Sequence, residues 1–301
     1  MTPSGRLHCS MKSLRIEAPA KVNLFLRAAT LRADGYHELD TLFEALSFGD
    51  VLEFRARRDK AVRLSCTLKS LPTGPKNLVV RAALLLRKET SVSAGVDIRL
   101  TKNLPVASGL GGGSSDAAST LLGLNRFWKL GLSQANLLKL AAELGSDVPF
   151  FILQTPFASA KGRGEILTPW QSKSKFWHVL VTPRLHVLAK DVYRALTNED
   201  RAAQPATGDA LKMKTGVIKG DIADVGSRMF NTLERVLVRD YAVIRKLLAD
   251  LTAAGAVRSM VSGSGPTVLG LASSKANALR IARVMRRKHP AKFIQPVSTS
   301  A

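Results

Sequence analysis

A chain of 301 residues, 46% of them hydrophobic, can bury the core of one large domain or two ordinary ones, and the patterning along it favours two. Cys9 and Cys66 lie far apart with no ligand spacing, which excludes a disulfide framework and a cysteine zinc site and points to the reducing cytoplasm; no apolar run approaches the ~18 residues of a membrane span. Lysine and arginine outnumber the acids 45 to 23, for a net charge of +22, a balance that attracts anions. The charge is nevertheless scattered in short clusters such as Arg55-Ala-Arg57-Arg58 and Arg283-Val-Met-Arg286-Arg287-Lys288, and aromatic residues are only 6%, too few for a base-stacking surface. A solvated basic face is therefore expected, and nucleic acid is not an expected partner.

Residues 1–11 read as a disordered leader, with Met11 a second candidate start; the first sixteen residues are basic but carry no apolar signal core. From Lys12 to Leu31 the chain alternates with period 2, Val22, Leu24 and Leu26 on one face and Lys21, Asn23 and Phe25 on the other, and it is expected to break at Pro19. Val51–Phe54 and Val62–Leu68 read as further strands. Asn77 opens a helix with apolar positions Leu78, Val79, Ala82, Leu85 and Leu86, and a strand at Val96–Thr101 follows. Beyond a glycine-rich loop, Ser114 or Ser115 is the expected cap of a helix through Leu121, Leu122 and Leu124; a second helix over about Ser133–Leu144 ends at Gly145. Trp170–Lys175 is polar and linker-like, so a first domain is expected over 12–168 and a second α+β unit over 169–301. Thr197–Gly220 has little hydrophobic pattern and reads as a mobile excursion.

The loop is Pro105-Val-Ala-Ser-Gly-Leu-Gly-Gly-Gly-Ser-Ser115, bare backbone delivered to a helix N-terminus, where free N–H groups and the helix dipole favour an anion such as phosphate. A Walker A loop needs a lysine that is absent here, a dinucleotide fingerprint needs glycine where Ser114 stands, and the companion motifs of a protein kinase are missing. Asp147, directly before Val-Pro-Phe-Phe-Ile-Leu153, is expected to be partly buried, either as a cap or as a carboxylate held for chemistry. Period 2 puts Lys21 and Asn23 on one face, so both can point into one site. The glycines of Val261-Ser-Gly-Ser-Gly-Pro266 either permit a tight strand–loop–strand passage or bring backbone to a ligand.

The glycine loop resembles Pro-x-x-x-Gly-Leu-Gly-x-x-Ser, the nucleotide loop of the galactokinase, homoserine, mevalonate and phosphomevalonate (GHMP) kinase superfamily. Ala18-Pro-Ala-Lys-Val-Asn-Leu24, Asp34-Gly-Tyr-His-Glu-Leu39, Gly145-Ser-Asp-Val-Pro-Phe150, Lys161-Gly-Arg-Gly-Glu165 and Val261-Ser-Gly-Ser-Gly265, in that order, resemble one branch of it, the 4-diphosphocytidyl-2-C-methyl-D-erythritol kinases. The resemblance spans roughly Lys12 to Val268. It implies an α+β fold of two domains, ribosomal-S5-like then ferredoxin-like, and phosphorylation by ATP with Mg²⁺ of the 2-hydroxyl of diphosphocytidyl-methylerythritol, a step of non-mevalonate isoprenoid precursor synthesis. It further implies that Asp147 orients that hydroxyl and takes its proton, while Lys21 pairs with Asp147 and stabilises the transferring phosphoryl group. Pro105, Val106, Ala107, Ser108, Gly109, Leu110, Gly111, Gly112, Gly113, Ser114 and Ser115 would hold ATP, either serine approaching the metal. Asn23, Tyr36, His37 and Lys190 would hold the substrate, Tyr36 and His37 at its cytosine. The aromatic residue that closes the other face of the base in some members corresponds to Ala189 here, so a one-sided stack is expected.

Overall fold

The computed structural model describes residues 12–33, 35–202, 209–290 and 292–300, and the expected leader over 1–11 lies outside them. In chain order the elements are β1 (Ser13–Leu31), β2 (His37–Arg57), β3 (Val62–Cys66), α1 (Leu78–Thr90), β4 (Gly95–Thr101), α2 (Gly112–Phe127), α3 (Gln134–Leu144), α4 (Val148–Ile152), β5 (Phe157–Gly162), β6 (Ile166–Trp170), β7 (Trp177–Thr182), α5 (Ala189–Arg194), α6 (Asn198–Ala202), α7 (Asp209–Lys219), α8 (Ile222–Arg228), β8 (Phe230–Asn231), α9 (Thr232–Asp240), α10 (Ala242–Ala253), β9 (Arg258–Val261), β10 (Val268–Ala272), α11 (Lys275–Lys288) and β11 (Phe293–Ser298). The described residues form two compact units, each assembled from separated stretches: those within 12–18, 49–103 and 112–154 in the first, and those within 19–48, 104–111 and 155–300 in the second.

In the first unit β4 lies between β3, parallel to it with Leu64 opposite Ile98, and the second half of β2, antiparallel with Phe54 opposite Ile98. A parallel pair needs a crossover, and α1 supplies it. Asn77 caps that helix, its side-chain oxygen accepting the N–H of Val79 at 2.9 Å, and Val79, Val80, Ala82, Ala83 and Leu86 form its buried stripe. α2 packs beside it and buries Ala117, Leu121 and Leu124. Gly112 and Gly113 already adopt helical backbone, so α2 starts two residues before the expected cap and Ser114 and Ser115 lie within its first turn. Ser133, expected as the first residue of the second helix, is instead the cap of α3, accepting the N–H of Asn136 at 3.3 Å.

In the second unit β1 runs parallel to β8, Phe25 opposite Phe230, while the first half of β2 pairs with β5 and β5 with β6, both antiparallel. A separate antiparallel sheet has the order β11-β7-β10-β9, and along the chain helices lie between β7 and β9 and between β10 and β11, the ferredoxin-like arrangement. β1 continues through Pro19, whose fixed φ suits extended backbone, so the expected break is absent. The expected excursion over 197–220 also contains structure: α7 buries Ala210, Met213 and Val217, spaced three and four apart, in the same apolar cluster as Phe157, Trp170 and Leu269. Three apolar residues at helical spacing suffice for packing, although they are too sparse to stand out in a lysine-rich stretch.

Candidate active site

β1 carries the charged centre of the second unit. The spacing of two residues puts Lys21 and Asn23 side by side, and the Lys21 ammonium donates to Asn23 Oδ1 at 2.8 Å. Asn23 Nδ2 donates to Thr41 Oγ1 at 2.8 Å, and that hydroxyl donates to the Phe25 carbonyl at 2.6 Å. Lys21 is 5% exposed, Asn23 1% and Thr41 fully buried, so every link in this relay is sheltered from water. The ammonium also sits over the Phe43 ring, 4.9 Å from its centroid, a contact strengthened by desolvation. A buried lysine held this way has few rotamers and presents its charge at a fixed place.

Lys21 is tied to the glycine loop through its own backbone: its N–H donates to the Leu110 carbonyl at 2.9 Å. Other loop carbonyls are likewise occupied. Ser108 Oγ donates to the Pro105 carbonyl at 2.7 Å, the Thr267 N–H to the Ser108 carbonyl at 3.2 Å, and Ser262 Oγ to the Gly109 carbonyl at 3.1 Å. Among the described residues, the N–H groups of Gly109, Leu110 and Gly111 have no hydrogen-bond partner. A loop whose acceptors are satisfied by protein and whose donors are not is built for an anion. Ala107, Gly109 and Gly111 lie at φ of 50°, 79° and 70°, and a Cβ at Gly109 would stand 2.3 Å from the Ser262 carbonyl oxygen, so the close approach requires glycine there.

In the first unit Asp147 immediately precedes α4 and is half-buried, as expected for a carboxylate at the edge of Val148–Ile152. Its side chain makes no capping bond to the helix, so the capping role is not the one it plays. In the first turn of α2, in the same unit, Ser115 Oγ is buried without a hydrogen-bond partner in the described residues. Beneath the same turn is a buried ion triad that the sequence reading did not find: Lys102 Nζ reaches Asp116 Oδ2 at 2.9 Å and also pairs with Asp50, whose other oxygen accepts the Asn103 N–H at 2.6 Å. Burial, countered in part by the Lys102 ammonium and reinforced by Asp50, pushes the Asp116 carboxyl up to about 7. Among the described residues no three His, Cys, Asp or Glu side chains group as metal ligands, and no helix is long and apolar enough to cross a membrane.

Tyr36 is exposed, with the Arg163 guanidinium 5.0 Å from its ring centroid, while His37 is buried. His37 Nδ1 lies 3.0 Å from the Ala29 carbonyl, which can only accept, so Nδ1 carries the proton and a neutral ring offers the Nε2 lone pair. The His37 ring is stacked on Tyr193, centroids 5.6 Å apart and planes 26° from parallel. Ala189 is exposed at the start of α5, and the ring that lies against His37 is that of Tyr193, one helical turn later, which the sequence reading did not single out. The i, i+4 relation of Ala189 and Tyr193 was the available signal. Lys190 is exposed on the same helix and makes no hydrogen bond or ion pair among the described residues.

The chain matches the models of two families, GHMP kinases N terminal domain over residues 77–155 and GHMP kinases C terminal over 213–291. A 4-diphosphocytidyl-2-C-methyl-D-erythritol kinase of Pelotomaculum thermopropionicum is 42% identical over 270 residues, covering 90% of this chain and 93% of its own length. The enzyme of the same name from Alkaliphilus metalliredigens is 37% identical over 261 residues, 87% and 88% of the two chains. A crystal structure of 4-(cytidine 5'-diphospho)-2C-methyl-D-erythritol kinase superposes with a TM-score of 0.82 at 33% identity, covering 96% of this chain and 100% of that one. Homoserine kinase from Cytophaga hutchinsonii, at 19% identity and a TM-score of 0.73, shares the fold. With matches over nearly the full length of these relatives, the chain belongs to the 4-diphosphocytidyl-2-C-methyl-D-erythritol kinase family of ATP-dependent GHMP kinases.

Proposed function

We propose that the protein transfers the γ-phosphoryl group of ATP to the 2-hydroxyl of 4-diphosphocytidyl-2-C-methyl-D-erythritol, in non-mevalonate isoprenoid precursor synthesis in the cytoplasm. The observation that carries this reading is the bond from the Lys21 N–H to Leu110, which fixes a buried ammonium to a loop with unsatisfied donors. Phosphoryl transfer passes through a loose transition state, so the protein's work is alignment and neutralisation of charge. The N–H groups of Gly109–Gly111, continued by those at the start of α2 over Gly112–Ser115, cradle the phosphates, with Pro105–Ser108 shaping the loop. Lys21 stabilises charge on the transferring group, and Asn23 holds the ammonium in place. Asp147 orients the acceptor hydroxyl and takes its proton. Tyr36, His37 and Tyr193 receive the cytosine, His37 Nε2 accepting from its amino group, and Lys190 offers a cation to the substrate's diphosphate.

Magnesium fits the donor chemistry of the loop: the hydroxyls of Ser114 and Ser115 are hard oxygen donors, and that of Ser115 has an unused lone pair. Held by these hydroxyls, the ion would supply positive charge that neutralises the charge developing on the transferring phosphoryl group. The two sequence modules divide near residue 168, and nucleic acid takes no part. The test is ADP release by the purified protein with Mg²⁺-ATP, comparing diphosphocytidyl-methylerythritol with homoserine, mevalonate and phosphomevalonate. Turnover confined to the cytidylyl acceptor is expected; turnover of another acceptor would assign the chain a different substrate.

A further inference from the structure

The loop Val261–Pro266 is gripped by a segment that belongs to none of the sequence motifs, Phe230-Asn-Thr-Leu-Glu234 at the junction of β8 and α9. Asn231 caps α9, its Oδ1 accepting the Leu233 N–H at 2.9 Å. A cap needs no more than that. Yet Asn231 Nδ2 also donates to the Val261 carbonyl at 2.9 Å and to the Gly263 carbonyl at 2.8 Å, and the residue is 4% exposed. Glu234 stands at the third position of the helix, where a capping-box glutamate would turn back to the N–H of the cap. Instead its Oε2 accepts the Val261 N–H at 2.7 Å. Both side chains are thus committed to the loop beyond anything the helix requires, and Glu234 keeps a carboxyl buried to do so.

The far side of the same loop meets the active centre. Ser262 Oγ donates to the Gly109 carbonyl, and a Cβ at Gly263 would lie 3.1 Å from Asn23 Oδ1 and 3.7 Å from the Lys21 ammonium. Phe230 and Asn231 meanwhile pair in register with Phe25 and Leu26 of β1, and Thr232 Oγ1 accepts the Ala28 N–H at 3.0 Å. One short segment therefore holds both the strand that carries Lys21 and Asn23 and the loop that abuts them.

We propose that Asn231 and Glu234 are positioning residues for phosphoryl transfer: they make the Val261–Gly265 loop a strut between β1 and the nucleotide loop, and so set the Lys21 ammonium against the phosphate-facing backbone of Gly109–Gly111. Neither residue touches a reacting atom. The inference rests on the kinase reading above, and its signature is a fall in kcat larger than any change in KM for ATP, because misalignment is felt most where charge develops in the transition state.

The variants separate this role from capping. Asn231→Ser keeps a good cap and removes both donors to the loop, Glu234→Ala removes the acceptor, and Glu234→Gln retains an oxygen for the Val261 N–H. Ser274→Ala, which removes the cap of α11, is the stability control. We expect Asn231→Ser and Glu234→Ala to lose roughly tenfold to a hundredfold in kcat, with KM for ATP changed less than about threefold, Glu234→Gln to recover most of it, and Ser274→Ala to lose stability without losing kcat. Amide exchange over residues 261–265 should quicken in the first two variants alone. Unchanged kcat and exchange, or a loss in Glu234→Gln equal to that in Glu234→Ala, or a kcat loss in Ser274→Ala matching its loss of stability, would overturn the proposal. Should the wild type use another acceptor, the substrate reading fails, while the same ratios on that acceptor still decide this one.

Discussion

The rings of His37 and Tyr193 lie stacked, with centroids 5.6 Å apart and planes 26° from parallel. An aromatic pair that includes a histidine pinned by the Ala29 carbonyl is a flat, rigid platform, and a pyrimidine base rewards flatness. Replacing Tyr193 by Ala should raise KM for the cytidylyl substrate by about tenfold, from the ~1 to 3 kcal/mol that an aromatic contact contributes to a stacked base. The KM for ATP should not move. Equal changes in both constants, measured by steady-state ADP release, would show that Tyr193 supports the fold around α5 rather than the base.

The proposed mechanism divides the chemistry between Lys21 and Asp147. Lys21→Met removes a buried cation while keeping an unbranched chain over Phe43, and Asp147→Asn keeps the shape of the carboxylate without its basicity. Each should lower kcat by about a hundredfold or more, with KM for ATP changed by only a few-fold. Single-turnover kinetics would check that the lost step is chemistry; a mutant limited only by nucleotide affinity would remove that residue from the proposed mechanism.

Gly109 is fixed twice, by a φ of 79° and by the Ser262 carbonyl, which a Cβ would approach to 2.3 Å. Gly109→Ala should therefore destabilise the protein by about 2 kcal/mol or more, from left-handed strain and backbone displacement together, and weaken ATP binding. Gly74, with open space around its α-carbon and an ordinary φ, provides the comparison, and Gly74→Ala should be nearly neutral. Thermal unfolding with and without nucleotide measures both effects; equal melting temperatures for the two variants would mean that the loop yields easily.

What could be read from the sequence was what local chemistry writes into it. Five adjoining glycine and serine positions, Gly111–Ser115, marked a loop of bare backbone running into a helix, and period 2 placed Lys21 beside Asn23, because both depend on neighbours a few residues apart. The starts of α1 at Asn77 and of α3 near Ser133 were legible for the same reason. The capping serine of α2 was misplaced because glycine, weak as a helix former, still takes helical backbone once the helix is packed. The rest depends on partners distant in the chain. Asn231 meets the loop 30 residues later, Thr41 meets Asn23 18 residues earlier, and Lys102 reaches Asp50 across 52. No pattern within one element predicts such a pairing, since only the folded topology brings the partners together.

The Lys102–Asp116 pair shows how such a contact acts on stability. It joins the end of β4 to the first turns of α2, with two carboxylates facing one ammonium away from water. Two negative charges on one cation leave an excess that burial makes costly, and this pushes the Asp116 carboxyl up to about 7. In the unfolded chain the same group titrates near its ordinary value of ~3.9. A raised carboxyl favours the fold fully only below that ordinary value, and the contribution is lost as pH climbs through about 7. Asp116→Asn mimics the protonated acid and leaves Lys102 paired with Asp50, so it escapes this loss. The variant should gain on the wild type by on the order of 1 to 2 kcal/mol between pH 5 and pH 8 in urea unfolding. A stability difference that stays constant across that range would mean that Asp116 is ionised throughout and that Lys102 neutralises both carboxylates.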